Sequence, residues 1–135
     1  MVRVRFTMKI LLDTCSFLWI IASRTKLSKV ANYLLEDRNN ELFLSTASAW
    51  EVAIKYSSGR LPLPDKPALL ITKARNESNI QSLSVDEESA LLAGRLAKFH
   101  SDPFDRLLVA QAIVHGMPIL TPDKHIEQYA VRVLW

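Results

Sequence analysis

At 135 residues and 15.3 kDa the chain fits one domain with its own core, and 49% apolar with 23% charged residues is a globular composition, not a disordered one. Seventeen Lys and Arg against fourteen Asp and Glu give a formal charge of +3, which permits a polyanionic partner without requiring one. A single cysteine, Cys15, excludes an internal disulfide, and three scattered glycines, Gly59, Gly94 and Gly116, exclude a glycine-rich phosphate loop.

Arg3, Arg5 and Lys9 precede an apolar run over 10–22 that has the outline of a signal sequence. The run holds Asp13 between Leu12 and Thr14, is too short to span a bilayer, and lacks the small residues of a cleavage site before Cys15. It reads as a buried strand over 8–12 followed by a helix over 17–22, capped by Thr14 or Ser16, in a cytoplasmic protein with no membrane partner. Residues 2–6 alternate apolar and basic and extend that strand, while Met8 stands open as an alternative start.

Further on, Ser28 opens a helix carrying Val30, Ala31, Leu34 and Leu35, which Asn39 and Asn40 end. A strand over 42–44 leads to a helix capped by Ser45 or Thr46, running through Trp50, Glu51 and Ile54 to a stop at Gly59. Three prolines make 61–67 a loop, and a helix over 68–77 and a strand over 80–83 follow. Ser84 with Glu87 forms a capping box for a helix to about residue 99. Asp102 and Pro103 open a helix that stops at Gly116. A strand over 119–121, a short helix over 123–129 and a strand over 131–134 complete the chain. Strands alternating with helices predict an α/β fold, a three-layer α/β/α sandwich with a mainly parallel central sheet. No repeat or linker interrupts it, so 1–135 reads as a single domain, with 1–7 open to being an N-terminal extension.

The acidic residues fall where such a sheet gathers its ligands. Asp13 follows the first strand, Glu51 lies on the helix after the second, Asp105 lies in the first turn of the helix from Asp102, and Asp123 follows the fourth strand. In an open parallel sheet the strands' carboxyl ends share one edge, where ligands bind, so these four side chains can converge. Converging carboxylates raise one another's pKa unless a cation neutralises them. An oxygen-only donor set suits Mg²⁺ or Mn²⁺, and its natural chemistry is metal-assisted hydrolysis of a phosphodiester.

Plainer roles stay open for each residue taken singly. Asp13 can cap the next helix, Glu51 can pair with Lys55 one turn on, Asp105 can complement the helix dipole, and Asp123 can serve a turn. Asp102, with Pro103 after it, reads as a cap and not a ligand. Cys15 reads as a small buried hydrophobe, and His100, His115 and His125 share no ligand spacing; His100, near Asp102, either approaches the site or, the better reading, is a loop residue. Trp19, Trp50 and Trp135 lie in apolar runs and read as core or interface anchors. Arg106 and Lys124 each follow a site acid, and either contact phosphates of a polyanionic substrate or are simply solvated.

Leu11-Leu12-Asp13-Thr14, Ser45 with Trp50-Glu51, the stretch from Asp102-Pro103-Phe104-Asp105-Arg106 to Ala112, and Leu120-Thr121-Pro122-Asp123 together resemble the PIN domain. More narrowly, they resemble the VapC toxins of type II toxin–antitoxin pairs, over essentially the whole chain from Met8. The resemblance implies a metal-dependent endoribonuclease using Mg²⁺ or Mn²⁺, with Asp13, Glu51, Asp105 and Asp123 as its catalytic and metal-binding acids. It implies Thr14, Ser45 and Thr121 as small polar residues lining the site. It also implies a homodimer, and a VapB-type antitoxin that joins it in a heterotetramer or larger assembly. Two other classes are open: a receiver-like signalling module, for which Asp13 lacks the paired acid, and a catalytically silent PIN-fold binding protein.

Overall fold

The computed structural model describes residues 7–135, so the strand extension expected over 2–6 lies outside the described residues. Five strands, β1 (Lys9–Leu12), β2 (Glu41–Ser45), β3 (Ile80–Leu83), β4 (Ile119–Leu120) and β5 (Val133–Leu134), pair in the order β3-β2-β1-β4-β5. Every pairing is parallel, with Leu11 opposite Phe43 on one side and opposite Ile119 on the other. The order runs backwards from β1 to β3 and then resumes beyond β1 with β4. That reversal opens a crevice between the carboxyl ends of β1 and β4. The receiver arrangement, 2-1-3-4-5, is not this one.

Six helices cover the sheet: α1 (Thr14–Ala22), α2 (Lys29–Glu36), α3 (Thr46–Ser57), α4 (Pro67–Ser78), α5 (Glu87–Arg95) and α6 (Pro103–His115). The strand residues divide by pleat. Ile10, Leu12, Leu42, Leu44, Leu120 and Leu134 join Phe17 and Ile20 of α1, Ala31 of α2 and Ala74 of α4 on one face. Leu11, Phe43 and Ile119 join Leu108, Val109 and Ala112 of α6 on the other. Burial on both faces explains why the strands read as unbroken apolar runs instead of alternating ones.

Several ends differ from the sequence reading. Asp13, not Thr14 or Ser16, caps α1, because its carboxylate reaches the Ser16 N–H at 2.7 Å. Asp86 displaces Ser84 as the cap of α5 by accepting from Ser89 N–H at 2.6 Å, which leaves Glu87 as the first helical residue and not the far half of a capping box. That helix ends at Arg95, so residues 96–102 form a loop. The second helix already stops at Glu36, and the helix expected over 123–129 is one 3₁₀ turn, Ile126–Gln128. The last two strands have two residues each. Ser28, Ser45 and Asp102 cap their helices as the sequence indicates, and Gly116 closes α6 in the left-handed conformation at φ 65°.

Candidate active site

Asp13 is set at the crevice by the sheet itself. Its N–H continues the β1–β4 ladder to Leu120 O at 3.2 Å, and the Ser16 hydroxyl donates to the same carbonyl at 2.9 Å. Its carboxylate, 4% exposed as a residue, accepts the Ser16 N–H through Oδ1 and the Thr121 hydroxyl through Oδ2 at 2.6 Å. Burial pushes the Asp13 carboxyl above the ordinary carboxylate range despite these donors, and the charge of Asp123 adds to the push. Thr121 Oγ1 in turn accepts the Asp123 N–H at 3.0 Å, which ties the ends of β1 and β4 together.

Glu51 enters from α3 and is buried. Thr14 donates to its Oε1 at 2.7 Å, with the Ser48 hydroxyl 3.0 Å from that of Thr14, and Lys55 pairs with Oε2 at 2.5 Å. The hydrogen bond to Glu51 raises the Lys55 pKa above its ordinary value, with Asp102 and Asp105 contributing, so the ammonium stays charged. Glu51 therefore fills both roles the sequence left open: it faces the acids and pairs one turn along its helix.

Asp105 sits in the first turn of α6, where the Asp102 carboxylate accepts N–H groups from Phe104 at 2.8 Å and from Asp105 at 3.4 Å. Asp102 is thus the cap expected of it. Burial pushes the Asp105 carboxyl up to about 7; Asp102, Glu51 and Asp13 push the same way, and His100 opposes them. The four acids expected to converge thus share one electrostatic environment, although no single group touches all the others.

The structure corrects two readings. His100 is not a bystander in its loop: its Nε2 lies 2.8 Å from Asp123 Oδ2 and 3.1 Å from Asp105 Oδ2. Arg106 is not solvated and does not face the crevice as a free cation. Its guanidinium donates to the carbonyls of Ala93, Leu96, Ala97 and His100 at 2.8 to 3.4 Å, binding the end of α5 and the loop after it. Lys124 is exposed. Thr14 and Thr121 touch site acids, whereas Ser45 caps α3 and donates to the buried Gln111 at 2.5 Å, with Gln111 donating onward to Ser84 O at 3.3 Å. Cys15 is half-buried, and burial beside Asp13 pushes its thiol up to about 11, which keeps it protonated.

Sequence reasoning missed Ser48 and Gln111, and ranked the loop reading of His100 above an approach to the site. The ligand atoms of His100, Asp105 and Asp123 lie within 4.8 Å of one another, and the Asp105 carboxyl among them is pushed up to about 7. A divalent cation fits that donor set, because its charge relieves the repulsion that burial magnifies.

A parallel sheet with carboxylates at its switch point defines an α/β/α fold with an acidic crevice. A family model described as the PIN domain matches residues 10–132, and the chain belongs to that family. It is 29% identical over 121 residues to Ribonuclease VapC22 of Mycobacterium tuberculosis, covering 89% of this chain and 91% of that one. It is 40% identical over 53 residues to Ribonuclease VapC16 of the same organism, covering 39% of this chain and 38% of that one. Among solved structures, VapBC2 from Rickettsia felis, bound to a DNA fragment from their promoter, shares the fold with TM-score 0.71 at 14% identity, over 93% of this chain and 97% of that one. DNA-bound VapBC from Salmonella typhimurium does so with TM-score 0.65 at 17% identity, over 93% and 96%. Family membership and strand order together set aside the receiver reading. Among the described residues, no helix is long and apolar enough to cross a membrane.

Proposed function

We propose that the chain is a VapC-type toxin, an endoribonuclease dependent on Mg²⁺ or Mn²⁺ that acts in the cytoplasm. The observation carrying this reading is the approach of Asp105 and Asp123, whose carboxylate oxygens lie within 4.8 Å of each other at the β1–β4 crevice, with burial, Asp102, Glu51 and Asp13 pushing the Asp105 carboxyl up to about 7. Added positive charge favours the carboxylate form of such a group. The similarity to proteins named ribonuclease VapC, and to VapBC structures, supports the assignment of that charge to a nuclease's metal.

Asp105 and Asp123 are the primary ligands in this reading, with Asp13 and Glu51 completing an acidic wall. Bound there, the cation supplies activation of the attacking water and neutralises charge on the phosphodiester. The protein's own share is orientation: Thr121 fixes Asp13, Thr14 and Lys55 fix Glu51, and the α6 cap fixes Asp105. Exposed Lys124 is the remaining candidate for an RNA phosphate contact. Partners by this reading are RNA, a second copy of the chain, and a VapB-type antitoxin forming a heterotetramer or larger assembly.

Antitoxin-free protein on total RNA, with Mn²⁺ or Mg²⁺ against EDTA, tests the reading when D105N is prepared identically. Metal-dependent cutting lost in D105N is the expected result. Folded protein that binds the metal yet leaves a broad set of RNAs intact would point to the silent PIN-fold binding protein.

A further inference from the structure

His100 presents ligand-like distances to two acids, and two readings of the ring compete: a nitrogen ligand beside Asp105 and Asp123, or a hydrogen-bond donor to them. The far side of the ring separates these. The Asp102 N–H donates to His100 Nδ1 at 3.1 Å, so Nδ1 presents a lone pair and carries no proton. The ring's proton therefore lies on Nε2, between the two carboxylates. A protonated Nε2 has no lone pair to give a cation. The other tautomer would set an Nδ1–H against the Asp102 N–H.

The loop holds the ring in this orientation. The His100 N–H donates to the Tyr129 hydroxyl at 3.0 Å, that hydroxyl donates to Ala97 O at 2.6 Å, and Arg106 donates to His100 O at 3.4 Å. The side chain is 15% exposed, so water competes weakly for its N–H. An ionised carboxylate offers about four acceptor positions, so one bridging N–H leaves most of them for a cation.

Resting on the metal-site reading above, we propose that His100 is a positioning residue: its Nε2–H, locked by the Asp102 amide, donates to Asp123 and lies 3.1 Å from Asp105, holding the two acids together for a shared cation that it does not itself ligate. The donor set of the metal site then remains all oxygen, which suits Mg²⁺ and Mn²⁺. An imidazole ligand would tilt the preference toward Zn²⁺.

The imidazole ¹⁵N signals of His100 in the full chain, metal-free and then titrated with MgCl₂, test this directly, with H100Q identifying the resonances. The expected result is a protonated Nε2 and an unprotonated Nδ1 in both states, while the backbone signals of Asp105 and Asp123 shift with Mg²⁺. A metal-free ring protonated on Nδ1, or an Nε2 proton lost on adding Mg²⁺, overturns the proposal. The stated tautomer with no Mg²⁺ response at Asp105 or Asp123 overturns the metal-site reading instead, and the positioning role goes with it. Isothermal titration adds the functional half. H100A should bind Mg²⁺ about tenfold or more weakly, and H100Q, which keeps an N–H near the position of Nε2, should recover the loss. Equal or tighter binding by H100A means the ring was only competing with the cation, and the proposal falls.

Discussion

The two halves of the acidic crevice are built differently. On the α3 side, Glu51 is buried with a hydroxyl donor on one oxygen and the Lys55 ammonium on the other, so its charge is matched within the fold. On the α6 side, Asp105 has the His100 ring 3.1 Å away against burial and the charges of Asp102, Glu51 and Asp13, and its carboxyl rises to about 7. One half is finished by the protein, whereas the other is left short of positive charge. A buried acid becomes a binding site through the partner it lacks, and burial alone marks neither half.

The sharpest way to break this contrast is D105N. Cleavage should fall by about a hundredfold or more, since several kcal/mol of charge stabilisation goes with the ligand. Its metal-free melting temperature at pH 8 should equal or exceed that of the wild type. The sign follows from the raised pKa: the folded state disfavours ionised Asp105, so stability contributed below pH 4 is lost as pH rises through about 7, and the amide avoids that loss. A metal-free D105N that melts clearly lower would show that Asp105 is satisfied without a cation.

Next in size is the pH dependence of metal binding. A cation displaces the proton from Asp105, so Mg²⁺ affinity measured calorimetrically should decline below about pH 7, approaching tenfold per pH unit for one proton released. A flat profile from pH 7 to pH 5 would contradict the α6 side of the contrast. On the α3 side, K55M strands the Glu51 charge and should destabilise the protein by about 1–2 kcal/mol in urea unfolding, a figure kept low because Lys55 is partly exposed. The smallest effect belongs to W50A. Trp50 is 64% exposed and meets Phe104 edge-on at 5.5 Å, so about 1 kcal/mol is expected, far below a core tryptophan. A loss of 3 kcal/mol would restore the core half of the core-or-interface reading.

What could be read in advance follows the range of the interactions concerned. The strand cores, the caps at Ser28, Ser45 and Asp102, and the stop at Gly116 depend on neighbours a few residues away, and local chemistry displays them. The acids at the strand ends were legible because parallel topology forces those ends to one edge. His100 was not, for its partner Asp123 lies 23 residues away and no periodicity connects a loop residue to a strand end. For Trp50 the choice between core and interface anchor could not be read, because an apolar run on a helix does not say which members face outward, and its exposure removes the core half. Arg106 misled for a related reason: its chain neighbour is Asp105, but its targets are the carbonyls of another helix.

That guanidinium also bears on how the protein breathes. The last carbonyls of a helix have no partners within it, and here one side chain from α6 takes those of Ala93 and Leu96 together with the loop carbonyls of Ala97 and His100. The loop carrying His100 is therefore latched to the same helix that delivers Asp105. Opening it means breaking several charge-assisted bonds at once, so the end of α5, the loop and the start of α6 exchange their amide hydrogens as one cooperative unit.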